Sequence, residues 1–98
     1  MFLAKVIGTV VSTQKNPKFL GMKLLLIQPY ITREDELVQS GSSVVAVDSV
    51  GAGLGERVMF TQGSSARLTD ITRDSPTDTV IVGIVDTVEI GGKRLAKP

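Results

Sequence analysis

An all-β fold, a small barrel of five to six strands with one short helical turn, is predicted by three features of this 98-residue sequence. Short runs rich in Val, Ile and Thr recur along the chain, glycine- and proline-bearing turns separate them, and no long apolar run of helical period intervenes. Closing such a sheet on itself removes most of its exposed edges. The length suits one core only, so residues 1–98 are read as a single domain. A core of that size is modest, and self-association adds usefully to it.

Phe2 to Thr13 is the first expected strand, followed by a connecting loop over Gln14 to Gly21 that carries Asn16-Pro17. Met22 to Ile31 is the second. Its run Leu24-Leu25-Leu26-Ile27 is apolar on both faces, so the strand is expected to be covered on both sides. Pro29 marks an edge or irregularity at its far end. Thr32 to Ser43 reads as an exposed, charged loop with a brief helical turn. Val44 to Val47 and Arg57 to Thr61 are the third and fourth strands, flanking Gly51-Ala52-Gly53-Leu54-Gly55. Ser64 to Ile71 is expected to hold a capping serine and a short helical turn. Thr79 to Ile90 is expected to be the longest strand, and Gly91-Gly92 the two-residue turn into a short final one.

Composition excludes several functions. Without Cys or His there is no disulfide, thiolate nucleophile, Ser-His-Asp triad or zinc site of the usual kind. Eleven basic residues against ten acidic ones leave a net charge of +1, too little for a dedicated nucleic-acid binder. The aromatics are Phe2, Phe19, Phe60 and Tyr30, and with Phe2 and Phe60 expected inside they do not build a base-stacking platform. No stretch reaches the roughly 20 apolar residues of a membrane span, and the N-terminus lacks a signal peptide's order of charge and apolarity. A cytosolic protein with no cofactor, no nucleic-acid partner and no membrane partner is expected.

The glycine run does not fit a phosphate loop, because Gly-x-Gly-x-Gly leads through Glu56 into a strand and no helix follows. It reads as a tight turn in which glycines permit close backbone approach or positive φ. Gly63-Ser64-Ser65-Ala66-Arg67 has hydroxyls but no base to activate one, so a capped turn is expected there, with Arg67 forked onto a carboxylate or carbonyl oxygens, within the chain or across an interface. Asp86 stands within the largely apolar run from Ile81 to Ile90 (IVGIVDTVEI), where a buried carboxylate needs a partner; Arg67 or backbone amides are the candidates. Nothing in the spacing joins Asp48, Glu56, Asp86 and Glu89 into an acid–base pair.

Several segments together carry a family resemblance. These are Lys5-Val6-Ile7-Gly8-Thr9-Val10-Val11, Gly21-Met22-Lys23-Leu24-Leu25-Leu26, Val45 through Glu56, Gly63 through Arg67, and Ile81 through Asp86. The compound Asp-x-Val-Gly-Ala-Gly-x-Gly-Glu followed by Gly-Ser-Ser-Ala-Arg is its most specific part. The sequence resembles the EutN/CcmL family of bacterial microcompartment vertex proteins, along nearly its whole length.

That resemblance implies an OB-like barrel assembling as a cyclic pentamer, a structural role in a carboxysome or metabolosome shell, and contact with hexameric shell proteins. It makes Asp48, Gly51, Gly53, Gly55, Glu56, Gly63, Ser64, Ser65 and Arg67 the candidates for the subunit contact or the region near the five-fold axis. The Thr32 to Ser43 loop is longer and more charged than in many relatives, and is expected to face a neighbouring shell tile. An OB-type binding module for nucleic acid or oligosaccharide is the alternative, disfavoured by the charge balance and the scarcity of aromatics. A small enzyme using only carboxylates, Lys and Ser is a third reading.

Overall fold

The computed structural model describes residues 1–11, 17, 21–63 and 78–96. Strand β1 spans Phe2–Val10, β2 Lys23–Arg33, β3 Glu36–Gln39, β4 Val44–Asp48, β5 Arg57–Gln62 and β6 Thr79–Ile84. Two short strands, β7 (Glu89–Ile90) and β8 (Lys93–Arg94), complete the described chain.

The order of the main sheet is β1-β5-β6-β4-β2-β3, and β1 also pairs with β2. That extra pairing closes five strands into a barrel, with β3 continuing outward along the far half of β2. All pairings are antiparallel except that of β4 with β6, where Val47 meets Val80 and Asp48 meets Ile81. A register shift between Val6 and Gly8 turns β1 as it follows the closing sheet.

The core comes from alternate positions. Ala4 and Val6 of β1, Leu25 and Ile27 of β2, Ala46 of β4, Val58 and Phe60 of β5 and Ile81 of β6 face one another inside. Their outward neighbours on β2 are half-buried, as the doubly apolar run predicts: Leu24 packs with Met22 and Val82 against Val47 and Val80. Pro29 sits where one side of β2 changes partner, from β4 (ending at Ile27) to β3 (starting at Tyr30). Its carbonyl accepts the Ser40 amide at 3.0 Å, so its missing N–H falls at the gap between two ladders.

Four expectations are corrected. Thr32 to Ser43 is not a loop with a helical turn. It holds a β-hairpin, with Arg33 paired to Glu36 and the turn residues Glu34 and Asp35 at φ 51° and 62°. Two adjacent positive φ values make a type I′ turn, whose twist matches the flanking strands. β6 stops at Ile84, so the longest strand is the 11-residue β2. Asp86 lies beyond the end of β6 and is exposed, so it needs no buried partner. Phe2 stacks on Phe60 at 5.4 Å but remains 51% exposed, because it begins its strand at an end of the barrel. The Gly91-Gly92 hairpin forms as expected, both residues at positive φ. The helical turn expected in Ser64 to Ile71 lies outside the described residues, as does Phe19.

Candidate subunit-contact surface

The segment joining β4 to β5 must pass from one flank of β6 to the other, and it does so under tight control. Asp48 ends β4 with its side chain 1% exposed. One carboxylate oxygen accepts the amides of Val50 at 3.0 Å and Gly51 at 3.1 Å; the other accepts that of Ala52 at 2.9 Å. An aspartate ahead of a turn commonly bonds the amides that follow it, and here one side chain orders three residues. Lys23 of β2 reaches over from the neighbouring strand. Its ammonium donates to the Ala52 carbonyl at 2.6 Å and stands 3.6 Å from Asp48 Oδ2.

These bonds drive Ala52 inward. It is fully buried and belongs to the same core cluster as Leu25, Ile27 and Phe60. The glycine run is therefore a frame around an inserted alanine. Gly51 and Gly55 turn the chain into and out of the insertion at φ 80° and 84°, the left-handed region that a Cβ disfavours. Gly53 does not share that role: its φ is not positive, and no backbone crowds it. The neighbour that a Cβ would meet there is the Glu56 carboxylate, at 3.3 Å.

Glu56 closes the segment. Its Oε1 accepts the Gly53 amide at 2.6 Å, and its own amide donates to the Gly53 carbonyl at 3.1 Å. Gly55 N–H and Val6 C=O, then Val6 N–H and Glu56 C=O, each pair at 2.9 Å and extend the β1–β5 ladder up to the turn. On the other flank, Ser49 donates to the Ile81 carbonyl from its hydroxyl at 2.6 Å and from its amide at 3.3 Å. The outcome is a rigid bracket that presents Leu54, 74% exposed, and the partly exposed Val50. An apolar side chain held outward on so firmly tied a backbone is suited to recognition of another protein surface.

Of the sequence-predicted residues, Asp48, Gly51, Gly53, Gly55 and Glu56 thus form one unit. Gly63 follows β5, with φ 70° and its amide bonded to the Asp78 carbonyl at 2.9 Å, and does not join that unit in any described hydrogen bond. Ser64, Ser65 and Arg67 lie outside the described residues. Two residues central to the bracket were not named as contact candidates from sequence: Lys23 and Ala52. An alanine between two glycines carries no signal of burial, and the reach of Lys23 depends on β2 pairing with β4. Among the described residues no cluster of three potential metal ligands exists, and no helix is long and apolar enough to cross a membrane.

Comparison with known proteins places this geometry in context. A family model described as ethanolamine utilisation protein EutN/carboxysome matches residues 1–86. The bacterial microcompartment shell vertex protein GrpN of Rhodospirillum rubrum is 51% identical over 89 residues, covering 91% of this chain and 97% of its own. The shell vertex protein PduN of Salmonella typhimurium is 50% identical over 90 residues, covering 90% and 98%. Among solved structures, the pentameric GrpN shell protein superposes with a TM-score of 0.78 over 92% of this chain and 99% of its own. CcmL of Gloeobacter violaceus, at 41% identity, gives 0.83 over 96% and 94%.

Proposed function

The chain belongs to the EutN/CcmL family, and from that premise we propose that it is a structural shell protein, a homopentamer that caps the vertices of a bacterial microcompartment. One observation carries the reading: half-identity along nearly the full length with vertex proteins of different shells, one of them a solved pentamer of the same fold. Flat sheets of hexagonal tiles cannot close on themselves, and five-fold units at the corners supply the missing curvature. Residues 1–98 act as one such unit, residing in the shell, with hexameric shell proteins as the neighbours on its flanks.

The role asks for no catalytic group and no cofactor. It asks for a rigid body whose contacts are preset, and the bracket from Asp48 to Glu56 meets that requirement. A ring uses a heterologous contact, one patch against a different patch on the next copy. We assign the bracket to that contact or to the region near the five-fold axis, together with Gly63, Ser64, Ser65 and Arg67. Fixing the segment inside its own chain means that little conformational entropy is lost when subunits meet.

Native mass spectrometry at micromolar concentration tests the assembly directly. A ring of five 10.4 kDa chains is expected, and a spectrum of monomer alone would refute the reading. Co-expression with a hexameric shell protein tests the neighbour: closed polyhedral particles are expected with this chain present and open sheets or tubes without it.

A further inference from the structure

Arg57 opens β5 next to the bracket, and its side chain is left strangely placed. The residue is only 7% exposed. Nη2 donates to the Asp86 carbonyl, while Nε and Nη1 are buried and have no hydrogen-bond partner among the described residues. A desolvated cation with a single neutral acceptor is unfavourable unless further acceptors reach it. Arg57 also lines an open cleft of about 420 Å³, together with Leu54, Gly55, Glu56, Ile84, Val85 and Asp86.

The lining decides what the cleft can take. Two carboxylates, Glu56 and Asp86, share it with the guanidinium, so a small free anion meets repulsion as well as attraction. A neutral main-chain carbonyl carries only a partial charge and meets much weaker repulsion, and Arg57 already binds one such carbonyl, that of Asp86. Leu54 and Ile84 supply an exposed apolar rim on two sides. An apolar rim around a buried polar anchor is the arrangement of a protein contact, in which excluded water strengthens the central hydrogen bond.

We propose that Arg57 is an anchor between subunits: a main-chain carbonyl of a second copy of this chain enters the cleft beneath Leu54 and Ile84 and accepts from Nε or Nη1. The occupant follows from the pentameric relative at 51% identity and from the cleft's continuity with the bracket. The assignment rests on the proposed pentamer and adds to it a residue that the sequence motif did not mark. Both nitrogens are shielded from water in the single chain, so the rim side chains repack as the neighbour docks. In the ring the arginine then gains the acceptor that the isolated chain withholds.

Dilution series followed by native mass spectrometry, on wild type, Arg57→Met and Ile84→Asp, test this. Methionine keeps the length and apolar stem while removing the unpaired charge, so the variant is expected to fold with an unchanged strand signature in circular dichroism. Its ring is expected to fall apart at a concentration at least tenfold higher than that of wild type. Ile84→Asp, an exposed rim change, is expected to do the same, and it decides the matter if Arg57→Met does not fold. A wild-type pentamer with both variants dissociating at the wild-type concentration overturns the anchor but leaves the pentamer standing. A wild-type chain that never forms a ring overturns the proposed function and the anchor with it. A saturable rise in melting temperature with inorganic phosphate, lost in Arg57→Met and without change of assembly mass, would identify an anion site and overturn the carbonyl assignment.

Discussion

Two tight connections in this barrel are built on opposite plans. The bracket from Asp48 to Glu56 bonds to β1, β2 and β6 and sends Ala52 into the core. The turn at Glu34-Asp35 is held by the ladder of its own two strands, β2 and β3, and both turn residues are exposed. The first is a non-local structure that exists only when the barrel has closed; the second is local and needs only its own hairpin. A connection tied to several strands can hold the backbone under an exposed residue such as Leu54 in one place, which a subunit contact requires. A connection tied to itself can vary in sequence without disturbing the barrel.

The strongest test of that contrast is Asp48→Ala. Three amides lose their acceptor, one of them fully buried with Ala52, and charge-assisted bonds of this kind contribute about 1.5–3 kcal/mol each before relaxation. We expect a loss of roughly 3 kcal/mol in urea unfolding, with a marked fall in ring yield. A loss no greater than that of an ordinary surface change would show that the bracket does not depend on this side chain.

Gly55→Ala comes next. Its φ of 84° places a Cβ in the left-handed region, where a non-glycine residue is disfavoured by about 1–2 kcal/mol. Gly53→Ala, at ordinary φ, is expected to lose less, with the Glu56 side chain shifting to make room. Equal midpoints in parallel urea titrations of the two variants would break the distinction drawn between these glycines.

The hairpin supplies the opposite sign. Replacing Glu34-Asp35 by Asn-Gly puts residues suited to positive φ into a type I′ turn, and a gain of about 1 kcal/mol is expected. Ring yield should not change, because among the described residues no hydrogen bond or ion pair ties Glu34 or Asp35 to anything beyond the hairpin. A pentamer weakened by this double substitution would move the subunit contact toward the hairpin and away from the bracket. The smallest effect expected is that of Lys23→Met. Its side chain is half exposed, so solvent screens its pairing with Asp48 and less than about 1 kcal/mol is lost. A larger loss in urea unfolding would mark the Ala52 carbonyl bond as the principal tie.

The same contrast explains what was legible from sequence. Gly91-Gly92 announced its hairpin because two glycines meet a local conformational demand. Glu34-Asp35 did not, since neither is glycine and Asp alone leans only weakly toward positive φ, so the strands on both sides impose the turn instead. The motif from Asp48 to Glu56 was recognised as a unit and as a family mark, yet its inner logic was misjudged at Gly53, which is neither strained nor crowded by backbone.

By itself the sequence determined the all-β class, most of the strands, the exclusion of cysteine and histidine chemistry, and the resemblance that leads to a shell vertex. These follow from local pattern: β-branched alternation, turn residues, and the types of side chain present. Only the tertiary structure decided that β1 closes on β2, that Ala52 is core, and that Lys23 reaches the turn. It alone left Arg57 buried with two nitrogens unpartnered among the described residues. Each of these depends on which strands lie side by side and in what register, a property of pairings between distant residues that no short stretch of chain encodes alone.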